Sequence, residues 1–120
     1  MAKILIVDDS PITRAMIADF LQMSGHQVAG EAENKVQALA AYVAKKPDLV
    51  TLDLSMGEDD GFTVLKGLRE IDPQARVVIV SANTQQDIYD QLLQQGAKGF
   101  VTKPFTLEEL NTAVAKGLAA

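Results

Sequence analysis

Lys3-Ile4-Leu5-Ile6-Val7-Asp8-Asp9-Ser10 carries four consecutive apolar residues straight into two carboxylates. A strand that alternates apolar and polar residues has one wet face, whereas an unbroken apolar run implies cover on both faces, as in a parallel sheet. The pattern returns at Leu49-Val50-Thr51-Leu52, which leads into Asp53, and at Val77-Val78-Ile79-Val80, which leads into Ser81. With two weaker runs the predicted strands cover residues 3–7, 27–32, 48–52, 76–80 and 99–102.

The segments between them have helical period. Ile12, Met16, Phe20 and Leu21 fall on one face, as do Val36, Leu39, Ala40 and Val43. Phe62, Leu65, Leu68 and Ile71 repeat the spacing, and Leu107, Leu110, Val114 and Leu118 close the series. Gly25 and Gly96 suit left-handed helix ends, and Lys46-Pro47 and Asp72-Pro73 stop helices before the next strand. Asn34 and Thr106 are N-cap candidates, and Glu109 completes a capping box with Thr106. The fourth helix, residues 85–95, offers only Ile88, Leu92 and Leu93 to a core and should be the least firmly held. Five βα units with short connections give an α/β fold with a five-stranded parallel sheet, right-handed crossovers and helices on both faces. The expected organisation is a single domain over residues 1–120.

Bulk composition excludes several classes of function. The 48% hydrophobic and 22% charged content is globular, and the net charge of −5 gives no basic surface for nucleic acid. No cysteine is present for thiolate chemistry or thiol metal sites, which fits a reducing cytoplasm. No apolar run is long enough to insert in a membrane, and the run ending at Asp8 is too short for the core of a signal peptide. The glycines form no phosphate-cradling motif.

In an open parallel sheet, ligands bind at the carboxyl ends of the strands, where strand order reverses. Strand one ends in Asp8-Asp9, strand three in Asp53 and strand four in Ser81, while strand five leads to Lys103-Pro104. Three carboxylates close together raise one another's pKa, a conflict that a hard divalent cation such as Mg²⁺ resolves through oxygen ligands. Lys103 adds a positive point charge and Ser81 a neutral donor. Such a set has the parts of a phosphoryl-transfer site: a carboxylate nucleophile, a metal and two donors for phosphoryl oxygens. His26, the single histidine, reads as a surface turn residue, and Glu58, Asp59 and Asp60 read as a solvated acidic loop.

Four blocks resemble the signatures of response-regulator receiver domains, in order and over essentially the whole chain. They are Ile6-Val7-Asp8-Asp9-Ser10, Leu52-Asp53-Leu54-Ser55-Met56, Val80-Ser81-Ala82 and Thr102-Lys103-Pro104-Phe105. The resemblance implies a flavodoxin-like, doubly wound (βα)5 fold with strand order 2-1-3-4-5. It implies Asp53 as phosphoacceptor, Asp9 as direct Mg²⁺ ligand, Asp8 as a ligand acting largely through water, and a backbone carbonyl of Ser55 on the metal. Ser81 and Lys103 would hold the phosphoryl group, Ala82 would occupy a small-residue position beside the pocket, and Lys103-Pro104 would be cis. Phe100 stands at the switch-aromatic position; lacking a phenol, it would switch by packing alone.

The family's implied role is a phosphorylation-activated switch of a two-component system that assists its own phosphorylation and dephosphorylation. A sensor histidine kinase or phosphotransfer protein would supply the phosphoryl group. The face of helix four, strand five and helix five would signal to a downstream protein target. The stretches Asp8 to Arg14 and Val28 to Ala32 are more similar to stand-alone, chemotaxis-type (CheY-like) receivers. The expected protein is a cytoplasmic monomer, with dimerisation on activation as an alternative. Two departures bear on rate and partner choice: Gly57 stands where the family often has proline, and Asp59 where it has an apolar residue. A Mg²⁺-dependent aspartyl-phosphate phosphohydrolase and an unphosphorylated interaction module are the alternative functions. The first normally has a second carboxylate two residues after the nucleophile, where Ser55 stands here.

Overall fold

Continuous apolar runs become the central strands. β1 (Lys3–Val7), β2 (Gln27–Ala32), β3 (Leu49–Asp53), β4 (Val77–Ser81) and β5 (Gly99–Thr102) form one sheet in the order β2-β1-β3-β4-β5, with every pairing parallel. The structure, a computed structural model, describes residues 2–56, 59–82 and 85–119. The helices are α1 (Pro11–Met23), α2 (Lys35–Lys45), α3 (Gly61–Ile71), α4 (Gln86–Gln94) and α5 (Leu107–Ala119). Every residue of β3 and β4 is buried, as their sequences predict. Strand order reverses at β1 and β3, where Ile4 to Val7 pair with Leu49 to Leu52.

The sheet divides two cores. On one side Leu5, Val7, Val50, Leu52, Val77 and Ile79 pack against α2, α3 and α4. On the other, Ile4, Ile6, Leu49, Val78, Val80 and Val101 pack against α1 and α5. Thr51 lies buried at the centre of β3, and its hydroxyl has no hydrogen-bond partner among the described residues.

Helix ends follow the predicted chemistry. Asn34 Oδ1 accepts from Gln37 N–H at 2.9 Å, and Thr106 with Glu109 exchanges both bonds of a capping box at 2.9 and 3.1 Å. Gly25 and Gly96 adopt φ of 84° and 99°, the left-handed region where a Cβ is strained. Ser10 and Asp60 are further caps, accepting from Thr13 and Phe62 N–H.

Two helices turn inward a face that only partly matches the apolar spacing: Leu21, Phe20 and Leu39 pack inward as expected, but the rest of the expected stripe does not. In α1, Ile17 and Leu21 are buried while Ile12 is 81% exposed. The line toward the sheet runs Arg14, Ile17, Leu21, and a cation at its first position conceals it from a hydrophobicity count. In α2 the buried residues are Ala38 and Tyr42, whereas Val36 and Val43 are exposed. Tyr42 gives its hydroxyl to Asp72 Oδ2 at 2.9 Å, so a polar tip replaces the expected aliphatic stripe. His26 is half-buried rather than a free surface turn: its Nδ1 accepts from Ala2 N–H at 3.2 Å. A two-residue antiparallel pairing of Ser55–Met56 with Asp59–Asp60 links β3 to α3. Gly57 and the side chain of Asp59, the expected departures, lie outside the described residues.

Candidate functional site

Asp53 and Ser81 are the final residues of β3 and β4 rather than the first residues beyond them. Their side chains are thus held by the sheet itself. Asp8 follows β1 directly, with its N–H donating to Ala32 O at 3.0 Å, which continues the sheet pattern. Oxygens of Asp8, Asp9 and Asp53 all lie within 4.8 Å of one another. Asp8 and Asp53 are buried and Asp9 is exposed.

Lys103 closes the cluster from the β5 side. Its Nζ stands 3.1 Å from Asp8 Oδ2 and 3.5 Å from Asp53 Oδ2. Lys103 N–H donates to Ser81 O at 2.9 Å, and the Lys103-Pro104 peptide is cis as expected. Burial, then the charge of Asp8, holds the Asp53 carboxyl above its ordinary 3.8; Lys103 and the Ser55 N–H, 3.3 Å from Oδ1, oppose that rise. Ionised Asp53 is therefore a more basic carboxylate than one in water.

Each oxygen of Asp8 has a partner. Oδ1 accepts from Ser10 N–H at 2.9 Å, Oδ2 faces Lys103, and the main-chain oxygen accepts from Arg14 Nη1 at 2.7 Å. Arg14 also pairs with Glu31 Oε1 at 3.0 Å, which ties the start of α1 to the end of β2. The sequence singled out Arg14 only as part of a motif; here it braces the turn that presents Asp8 and Asp9.

A cleft of about 680 Å³ opens over Asp53, Ser81 and Lys103, walled by Leu54, Phe62 and Ile88, with Ala82 at its edge. Gly61 sits beneath the loop after β3. A Cβ there would meet Leu54 Cα at 2.6 Å and Asp53 O at 3.0 Å, so only glycine allows the loop this close to α3. Phe100, on β5, is half-buried and lies away from the cluster. Its ring centroid is 4.6 Å from that of Tyr89 of α4, at 31° between planes. The sequence reading gave Leu93 to this face, but Leu93 is 53% exposed and Tyr89 takes the inward place.

An oxygen-only donor set at this spacing, with one exposed member that leaves room for water, fits a hard divalent cation such as Mg²⁺. The model of the response regulator receiver domain matches residues 4–115, which is nearly the whole chain. The protein belongs to the response regulator receiver domain family. Among curated relatives, the chemotaxis protein CheY of Bacillus subtilis is 46% identical over 116 residues, covering 97% of each chain. The chemotaxis protein CheY of Thermotoga maritima is 41% identical over 103 residues, 86% of each. Among solved structures, the CheX-CheY-BeF3-Mg²⁺ complex from Borrelia burgdorferi matches with a TM-score of 0.90 at 32% identity, over 93% of this chain and 85% of that one. This receiver domain is thus CheY-like, a module of two-component signalling. Among its described residues no helix is long and apolar enough to cross a membrane.

Proposed function

We propose that residues 1–120 act as a single phosphorylation-driven switch in which Asp53 accepts a phosphoryl group from a phosphohistidine of a sensor kinase or phosphotransfer protein. The observation that carries this reading is Asp53 itself: buried at 5% exposure, 3.5 Å from Lys103 and grouped with Asp8 and Asp9. An Asp53 carboxylate oxygen attacks phosphorus and the imidazole leaves. Asp8, Asp9, Asp53 and the Ser55 carbonyl would hold Mg²⁺, which would supply positive charge against the charge that develops on the phosphoryl oxygens. Lys103 moves from its carboxylate partners toward one phosphoryl oxygen, and the Ser81 hydroxyl donates to another. These groups equally assist hydrolysis of the acyl phosphate, so the domain promotes both its own phosphorylation and dephosphorylation. Phe100 then shifts inward beside Ser81. The face of α4, β5 and α5 presents the change to a downstream protein in the cytoplasm, in a chemotaxis-type pathway.

Intact-protein mass after incubation with acetyl phosphate and Mg²⁺ tests the chemistry. A gain of one phosphoryl mass in the wild type, absent from Asp53→Asn and abolished by EDTA, is expected. Modification of Asp53→Asn to the same extent would remove Asp53 as acceptor.

A further inference from the structure

The switch position in this chain carries Phe100, which has no hydroxyl, yet the structure supplies a phenol from another element. Tyr89, in the second half-turn of α4, lays its ring on Phe100 and brings its oxygen to 3.3 Å from Thr102 Oγ1. Phe100 and Thr102 are two residues apart on β5 and therefore project from the same side, toward α4, while Val101 between them enters the opposite core. Tyr89 thus grips one strand at two points, by stacking and by a hydrogen bond.

Two neighbouring facts give this grip leverage. Thr102 is the register partner of Ser81, whose carbonyl accepts from Lys103 N–H, so the strand held by Tyr89 is paired directly to the phosphoryl cleft. Moreover, α4 buries only Leu92 fully, and Leu93 is exposed. The half-buried Ile88 and Tyr89 complete its seat on the sheet, and of these two Tyr89 contacts β5 by both ring and hydroxyl.

We propose that Tyr89 is the positioning residue that couples the cleft to α4: it holds the resting arrangement through Thr102 and follows Phe100 when that ring moves. This rests on the receiver switch proposed above. An inward shift of Phe100 must either separate the stacked rings or draw Tyr89 after it. In the second case the Tyr89–Thr102 bond opens and α4 is re-seated with its aromatic residue. The phenol absent from β5 then reports the state from α4, on the surface a partner would read.

The chain has two tyrosines and no tryptophan, so Tyr42→Phe leaves Tyr89 as the sole strong fluorophore. This variant of the full chain is titrated with beryllofluoride in the presence of Mg²⁺, following tyrosine emission and, separately, the fluorine NMR signal of bound ligand. Emission should change with the same midpoint as the fluorine signal. Tyr89→Phe, which keeps the ring, and Thr102→Val should each tighten beryllofluoride binding by about two- to fivefold, the equivalent of one weak neutral hydrogen bond. The double variant should show no more than either single change, because both remove the same bond. Bound fluorine with silent Tyr89 emission, or additive effects of the two substitutions, would overturn the coupling while leaving the receiver switch intact. Absence of any bound fluorine signal would overturn the switch and the coupling together.

Discussion

Replacing Lys103 with methionine removes a cation from between two buried carboxylates while keeping most of its apolar volume. The ammonium lies 3.1 Å from Asp8 Oδ2 and 3.5 Å from Asp53 Oδ2. At an effective dielectric of about 20, each contact is worth about 5 kcal/mol before dehydration is counted. Lys103 is 25% exposed, so the net loss falls between the ~0–1 kcal/mol of surface pairs and the ~3–5 kcal/mol of fully buried ones. We expect about 2 kcal/mol in EDTA at pH 7.5. With unfolding entropy near 2.1 cal/mol/K per residue over 120 residues, this corresponds to about 8 °C in melting temperature. Most of the loss is repulsion left between Asp8 and Asp53, and burial, then the charge of Asp8, already disfavours the ionised form of Asp53. Asp53→Asn alone should therefore be no less stable than wild type. The double variant should recover at least about 1 kcal/mol relative to additivity. Added Mg²⁺ should raise the melting temperature of Lys103→Met more than that of wild type, since it meets one more uncompensated charge. Thermal and urea melts of the four proteins read all of this. Additive effects within about 0.5 kcal/mol, or an unchanged melting temperature for Lys103→Met, would refute the reasoning.

Gly61→Ala should cost about 1–3 kcal/mol in urea melts and weaken acetyl-phosphate labelling of Asp53, because its Cβ meets the Leu54 backbone at 2.6 Å. Thr51→Val should stabilise the fold by about 1 kcal/mol, since it replaces a buried, unpartnered hydroxyl with a methyl of the same shape; a loss of stability would reveal a partner for that oxygen. Partial burial, then the amino-terminal charge, holds His26 below its usual 6.5. The unfolded chain consequently binds more protons there than the folded one, and stability should fall as pH drops through about 6.5 toward the folded value. Melts of His26→Gln between pH 5 and 8 should lack that component.

The strands and the site were the most legible features of the sequence, for a shared reason. An apolar run that ends in a carboxylate or hydroxyl marks both a buried strand and the sheet edge where ligands tend to bind, so the candidates Asp8, Asp53 and Ser81 are legible together with the strands that carry them. The boundaries of β3 and β4 lie one residue further on than the apolar runs indicate, because Asp53 and Ser81 still pair in register despite being polar. Helix faces were less legible. Arg14 takes an inward place in α1 by satisfying a main-chain oxygen, and Tyr42 does so in α2 with its hydroxyl on Asp72, so hydrophobicity alone points past both. Tyr89 was missed in the same way, since a residue half aromatic and half polar weighs little in an apolar count. The pairing of Ser55–Met56 with Asp59–Asp60 is too short to leave any periodicity.

The three partners of the Asp8 oxygens separate two adjacent acids in what their replacement would do. Asp8 serves at once as a turn former, an ion-pair partner and, through its carbonyl, the anchor for Arg14, so a substitution there should disturb the seating of α1 along with the proposed chemistry. Asp9 reaches the same cluster from an exposed position. A substitution at Asp9 should thus alter the cation affinity proposed for this cluster with little penalty to the scaffold, while Asp8 is tied to both.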